Sequence, residues 1–152
     1  MAERTIETPL GRLLLCADAD ALTEIRFDAK KVRTDASPVL EQAERELKEY
    51  FAGERKVFSV PVCLKGTPFQ MRVWNALRGI PYGETVSYGE VAHRIGNPRA
   101  CRAVGMANHR NPIPIVIPCH RVIGADGGMT GYGGGLEIKR RLLELEGIHV
   151  KV

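Results

Sequence analysis

The stretch Ser87-Tyr88-Gly89-Glu90-Val91-Ala92-His93-Arg94-Ile95-Gly96-Asn97-Pro98-Arg99-Ala100-Cys101-Arg102-Ala103-Val104-Gly105-Met106-Ala107-Asn108-His109 decides how the C-terminal half folds. Ser87 is a helix N-cap, and Val91, Ala92 and Ile95 recur behind it at helical spacing. Gly96-Asn97-Pro98 breaks that helix. Pro98 then opens a second helix, expected from Arg99 to about His109. Ala100, Ala103 and Ala107 keep it slim, while Arg99, Arg102 and Arg110 make it cationic. Two helices across a glycine-containing turn fit a helix-turn-helix that meets nucleic acid, and also a plain helical hairpin.

Downstream runs Asn111-Pro112-Ile113-Pro114-Ile115-Val116-Ile117-Pro118-Cys119-His120-Arg121-Val122-Ile123-Gly124. Proline removes a backbone donor and disfavours helix in the residue before it, so this segment is expected to be extended and mostly buried. It delivers a thiol, an imidazole and a guanidinium together. A lone cysteine is often an inert core residue. Beside ionisable groups on a stiff segment, Cys119 is also a nucleophile candidate. Glycine then fills six of the ten positions 126–135, without the Gly-Lys-Ser/Thr ending of a phosphate loop. A closing helix spans Leu136 to Glu146, with Leu136, Ile138, Leu142, Leu143 and Leu145 apolar and Gly147 as its stop.

Upstream, Thr67 caps a helix that starts at Pro68 and buries Phe69, Val73, Trp74 and Leu77. Before it, Lys65-Gly66 marks a boundary between domains 1–65 and 66–152. Residues 3–9, 11–17 and 22–27 read as three short antiparallel strands. A charged loop, expected to be mobile, covers 28–36. Ser37-Pro38 opens an amphipathic helix that ends at Gly53, and an extended segment spans 57–62. The fold class is therefore α+β, a small N-terminal antiparallel sheet with a helix followed by a mostly helical domain.

Apolar content of 44% supports a packed core over disorder, and no apolar run reaches membrane-span length. Met-Ala-Glu-Arg-Thr lacks the layout of a signal peptide, so a cytoplasmic protein is expected, with no membrane partner. A monomer is expected in solution. Cys16, Cys63, Cys101 and Cys119 form no Cys-x-x-Cys pair, so reduced thiols are expected, without a zinc ribbon. Charge is uneven: residues 1–65 carry 11 Lys+Arg against 12 Asp+Glu, and residues 66–152 carry 11 against 6. The second part is thus compatible with a polyanion.

Pro118-Cys119-His120-Arg121-Val122 resembles the active-site signature of the O6-alkylguanine-DNA alkyltransferases. Arg78-Gly79-Ile80-Pro81-Tyr82-Gly83-Glu84-Thr85-Val86-Ser87-Tyr88, Asn97-Pro98-Arg99-Ala100-Cys101-Arg102-Ala103-Val104-Gly105, Asn111-Pro112, and Gly131-Tyr132 with Gly134-Gly135 match the same family in order. The strong similarity covers about 66–148, and the first 65 residues match in outline. The resemblance implies a ribonuclease-H-like N-terminal domain and a winged helix-turn-helix-like C-terminal one. It implies a suicide methyltransferase that repairs double-stranded DNA, entered through the minor groove, by moving an alkyl group from guanine O6 (or thymine O4) to cysteine.

The implied roles fall on single residues. Cys119 is the acceptor, His120 its base through a water, and Glu146 the carboxylate that orients the histidine. Tyr88 lies near guanine N3. Arg102 is the finger that fills the stack after base flipping, with Arg99, Ala103 and Ser87 beside it on the DNA. Asn111 is the hinge, and Pro114, Val122, Tyr132 and Gly133 line the substrate side. No cofactor is implied. Relatives with a zinc site in the N-terminal domain differ from residues 1–65, which hold Cys16 and Cys63 but no histidine, so no metal is expected. Cys101 stands where alanine is usual. Two other readings are an alkylated-DNA-binding protein without transfer activity, against which Cys119 argues, and a cysteine hydrolase, for which adjacent Cys119 and His120 are poorly placed.

Overall fold

The computed structural model describes residues 1–125 and 135–149. The chain forms two compact units, Met1–Leu64 and Lys65–Val152.

In the first unit, β1 (Ala2–Thr8), β2 (Gly11–Ala17) and β3 (Leu22–Arg26) make an antiparallel sheet in that order. Gly11 turns the β1–β2 hairpin at φ +100°, a conformation that costs glycine little. The register puts Ile6 opposite Leu13, and Leu13, Leu15 and Ala17 alternate onto the buried face. Helix α1 (Pro38–Phe51) covers that face with Leu40, Ala43, Leu47 and Tyr50. Ser37 accepts from the Leu40 amide at 3.2 Å and caps the helix.

The loop over 28–36 is more ordered than its charge suggests. Thr5 N–H donates to the Arg33 carbonyl at 2.9 Å, and Asp35 N–H donates to the Glu3 carbonyl at 3.1 Å. An edge strand offers a row of unmet donors and acceptors, and this loop meets them. Residues 57–62 likewise make only an isolated bridge, Val62 against Leu22. Their anchor is buried Glu46, which accepts from the Ser59 and Val60 amides at 2.7 and 3.0 Å.

The second unit is mostly helical: α2 (Pro68–Leu77), α3 (Tyr88–Arg94), α4 (Cys101–His109) and α5 (Leu136–Leu145). The short strands β4 (Val86–Ser87) and β5 (Val122–Ile123) pair in parallel. Thr67 and Gln70 form a reciprocal capping box on α2. The Trp74 indole N–H donates to the Ala107 carbonyl at 2.8 Å, pinning α4 to α2. Helix α3 ends in a Schellman motif: Gly96, at φ +79°, donates to the His93 carbonyl, and Asn97 donates to Ala92.

Two expectations need correction. Helix α4 starts at Cys101 behind Ala100, not at Arg99. Asn97 is spent closing α3, and Pro98 and Arg99 complete a turn in which Ala100 N–H donates to the Asn97 carbonyl. The segment after α4 is buried as expected but is not extended. Asn111 folds it into a loop, with Oδ1 accepting from Ile113 N–H at 3.0 Å and Nδ2 donating to the Ile117 carbonyl at 2.8 Å. Ile113 and Ile117 close the same loop through their main chains, and Ile115 takes φ +75°, a strained value for a β-branched residue.

Candidate active site

Cys119, His120 and Arg121 form one turn of 3₁₀ helix after Pro118, all three buried. A single tight turn fans consecutive side chains in different directions. Glu146 caps the far end of α5 and is only 6% exposed. His120 Nε2 lies 2.7 Å from Glu146 Oε2. Arg121 grips the same carboxylate with Nε on Oε1 at 2.8 Å and Nη2 on Oε2 at 3.0 Å. Gly83 N–H adds a 3.0 Å bond to Oε1. A carboxylate taken from water needs such compensation, and here Arg121 supplies the opposite charge. The third guanidinium nitrogen of Arg121 reaches the Ile80 carbonyl at 2.7 Å, and the guanidinium carbon Cζ lies 5.7 Å from the Tyr82 ring centre.

These partners set the state of His120. Burial pushes its pKa below the ordinary value, Glu146 works against that fall, and the Arg121 and Lys139 charges add to it. The ring is therefore neutral near pH 7. With Nε2 donating to Glu146, the lone pair is on Nδ1. That atom is buried and has no hydrogen-bond partner among the described residues.

The Cys119 main chain is held on both sides. Its N–H donates to the Ile117 carbonyl at 2.7 Å, and Asn108 Nδ2 donates to its carbonyl at 3.2 Å. Lys139 on α5 is fully buried, donates to the Val122 carbonyl at 2.7 Å and lies 5.8 Å from the Tyr88 ring centre. Burial lowers its pKa to about 8, against which the Cys119 sulfur acts. The Cys119 sulfur is thus within electrostatic reach of the Lys139 ammonium and favours its charged form.

The expected site residues divide into groups. His120 and Glu146 meet, Cys119 precedes His120 on the same turn, and Tyr88 lies against Lys139. Ser87 caps α3 by accepting from the Glu90 amide at 3.0 Å. Arg99, Arg102 and Ala103 are exposed, Arg99 before α4 and the other two on it. A groove of about 570 Å³ opens between Tyr88 and the α4 residues Arg102, Gly105 and Met106. Pro114 is buried within the Asn111 loop, and Val122 is buried on β5. Tyr132 and Gly133 lie outside the described residues. Arg121 and Gly83 lie inside the quoted motifs but take no assigned role there, whereas Lys139 and Asn108 belong to the site and lie outside those motifs. One signal for Lys139 was present: positions 139, 142, 143 and 146 form a single stripe on α5, buried throughout.

The comparisons with known proteins match both units. Residues 68–148 match the 6-O-methylguanine DNA methyltransferase DNA-binding domain, and residues 1–64 match its ribonuclease-like domain. This chain belongs to the 6-O-methylguanine DNA methyltransferase family. Among relatives in the family, the methylated-DNA–protein-cysteine methyltransferase of Methanosarcina acetivorans is 53% identical over 93% of this chain and 95% of its own. The constitutive Bacillus subtilis protein of that name is 47% identical over 97% of this chain and 96% of its own. The structure of Mycobacterium tuberculosis OGT in complex with DNA superposes with a TM-score of 0.89 at 52% identity, over 96% of this chain and 92% of that one.

Proposed function

We propose that this chain repairs alkylated DNA directly, moving a methyl or larger alkyl group from guanine O6 to Cys119 Sγ once per molecule. The observation that carries the assignment is the buried His120–Glu146 pair, whose unpartnered Nδ1 sits on the turn that carries Cys119. In this reading Nδ1 takes the thiol proton through a water, and Glu146 stabilises the imidazolium that forms. The thiolate attacks the alkyl carbon, an S–C bond forms and the C–O6 bond breaks. The electron pair passes into the guanine ring, where Tyr88 donates a proton to N3. Lys139 favours the thiolate before attack.

The target base is stacked inside a duplex and has to be flipped out. Helix α4 enters the minor groove, Arg102 fills the gap, and Arg99, Ala103 and Ser87 contact the strand beside it. Asn111 and Pro114 shape the loop that leads to Cys119, and Val122 belongs to the substrate side. The OGT structure in complex with DNA supports DNA as the partner. The protein acts as a monomer in the cytoplasm. No helix among the described residues is long and apolar enough to cross a membrane.

The test is a duplex carrying labelled O6-methylguanine. Intact protein heavier by one methyl group, with the label on Cys119 and none on Cys119→Ser, is expected. Stoichiometric labelling of Cys119→Ser would remove Cys119 as the acceptor. Tight binding with no mass change would favour a damage-binding protein.

A further inference from the structure

We propose that Asn108 is a positioning residue for the acceptor thiol, tying the main chain of Cys119 to the helix that carries Arg102. This rests on the alkyltransferase reading above. Asn108 occupies the last turn of α4 and is 1% exposed. Its Nδ2 donates to the Cys119 carbonyl at 3.2 Å. Its Oδ1 is buried and has no hydrogen-bond partner among the described residues. Leaving a buried acceptor unmet costs about 1–3 kcal/mol, which leucine, of similar size, would avoid. The amide is therefore poorly explained as packing, whereas its one bond falls on the main-chain carbonyl of the residue that carries the thiol.

Helix α4 has two faces. Arg102 and Met106 are exposed on one, and Val104, Ala107 and Asn108 are buried on the other. The Trp74 bond to the Ala107 carbonyl fixes the helix next to Asn108. One rigid element thus points Arg102 outward and holds Cys119 from behind. Asn111 grips the same loop two residues earlier, at the Ile117 carbonyl. Asn108 alone among these amides bonds the Cys119 carbonyl, so it sets how far the sulfur lies from the docked DNA.

The experiment compares Asn108→Leu and Asn108→Asp with the wild type, measuring single-turnover transfer from an O6-methylguanine duplex and affinity for that duplex in one buffer. Wild-type transfer is the control: without it the alkyltransferase reading itself fails. Asn108→Leu is expected to keep its thermal midpoint and DNA affinity, yet to transfer about tenfold more slowly, the worth of one hydrogen bond. Asn108→Asp removes the donor and sets a carboxylate near the sulfur, so its rate is expected to rise at higher pH than that of the wild type. Wild-type speed in Asn108→Leu, or a loss of affinity as large as the loss of rate, overturns the proposal. If Asn108→Leu does not fold, an unmoved pH profile in Asn108→Asp overturns it.

Discussion

Arg121 and Glu146 form a two-point ion pair, 25 residues apart in sequence, at 2.8 and 3.0 Å. The pair leaves Oε2 shared between Arg121 and His120, so the carboxylate that orients the imidazole is itself oriented by a fixed cation. Glu146 is thereby available as an anion without solvent.

Arg121→Met takes the guanidinium away from that anion and leaves the opposite charge unsupplied there. Breaking one side of a buried pair costs about 3–5 kcal/mol, and a urea titration is expected to show a loss of that order. Arg121→Lys recovers only part, because one ammonium cannot bridge both oxygens and also reach Ile80. A loss below about 1 kcal/mol in Arg121→Met would mean that water screens Glu146.

The depressed pKa of His120 predicts an acid-sensitive fold. A folded pKa below the unfolded value of about 6.5 means that the unfolded chain binds the proton more readily. Stability is thus complete above about pH 6.5 and declines as pH falls below it. Glu46 shows the carboxylate counterpart: its folded pKa is lowered despite burial, by bonds from Gln42, Ser59 and Val60, so its share is lost at lower pH, beneath the ordinary glutamate range. Denaturation midpoints of wild type and His120→Gln, followed from about pH 7.5 to 5, are expected to fall more steeply for the wild type. Parallel curves would contradict the neutral, buried imidazole.

Lys139→Met separates stability from chemistry. With its folded pKa at about 8, Lys139 weighs against the fold at neutral pH, and the cost fades as pH climbs toward the unfolded value. An apolar replacement of similar length is expected to be as stable as the wild type or more so near pH 7.5, the gap narrowing by about pH 9.5. Its alkyl transfer is expected to slow, since the thiolate loses a cation. Transfer at full speed would remove Lys139 from the chemistry.

Arg102→Ala tests the DNA-facing side of α4. If Arg102 fills the stack left by a flipped base, its loss slows repair of duplex DNA more than reaction with free O6-benzylguanine. Equal losses on both substrates would remove the finger role.

Much of the fold was legible because it depends on neighbours in sequence. Ser37, Thr67 and Ser87 each satisfy an amide three residues on, and Gly96 and Gly147 end helices at positive φ. The start of α4 was misplaced because Pro98 satisfies two local rules, helix start and turn, and the Schellman closure of α3 decides between them. The proline-rich run was misread as extended because proline limits φ but says nothing of the Asn111 amide that folds the loop back.

Local sequence dictates the order of the elements, their caps, and the placing of a thiol and an imidazole side by side before a cation. Their chemistry was left to the tertiary structure. Gly83 and Ile80 reach the site from 63 and 41 residues away, through Glu146 and Arg121 respectively. Burial of His120, Glu146, Arg121 and Lys139 in one place lowers the local dielectric, and only there do charges spaced widely along the chain settle which nitrogen of His120 holds the proton.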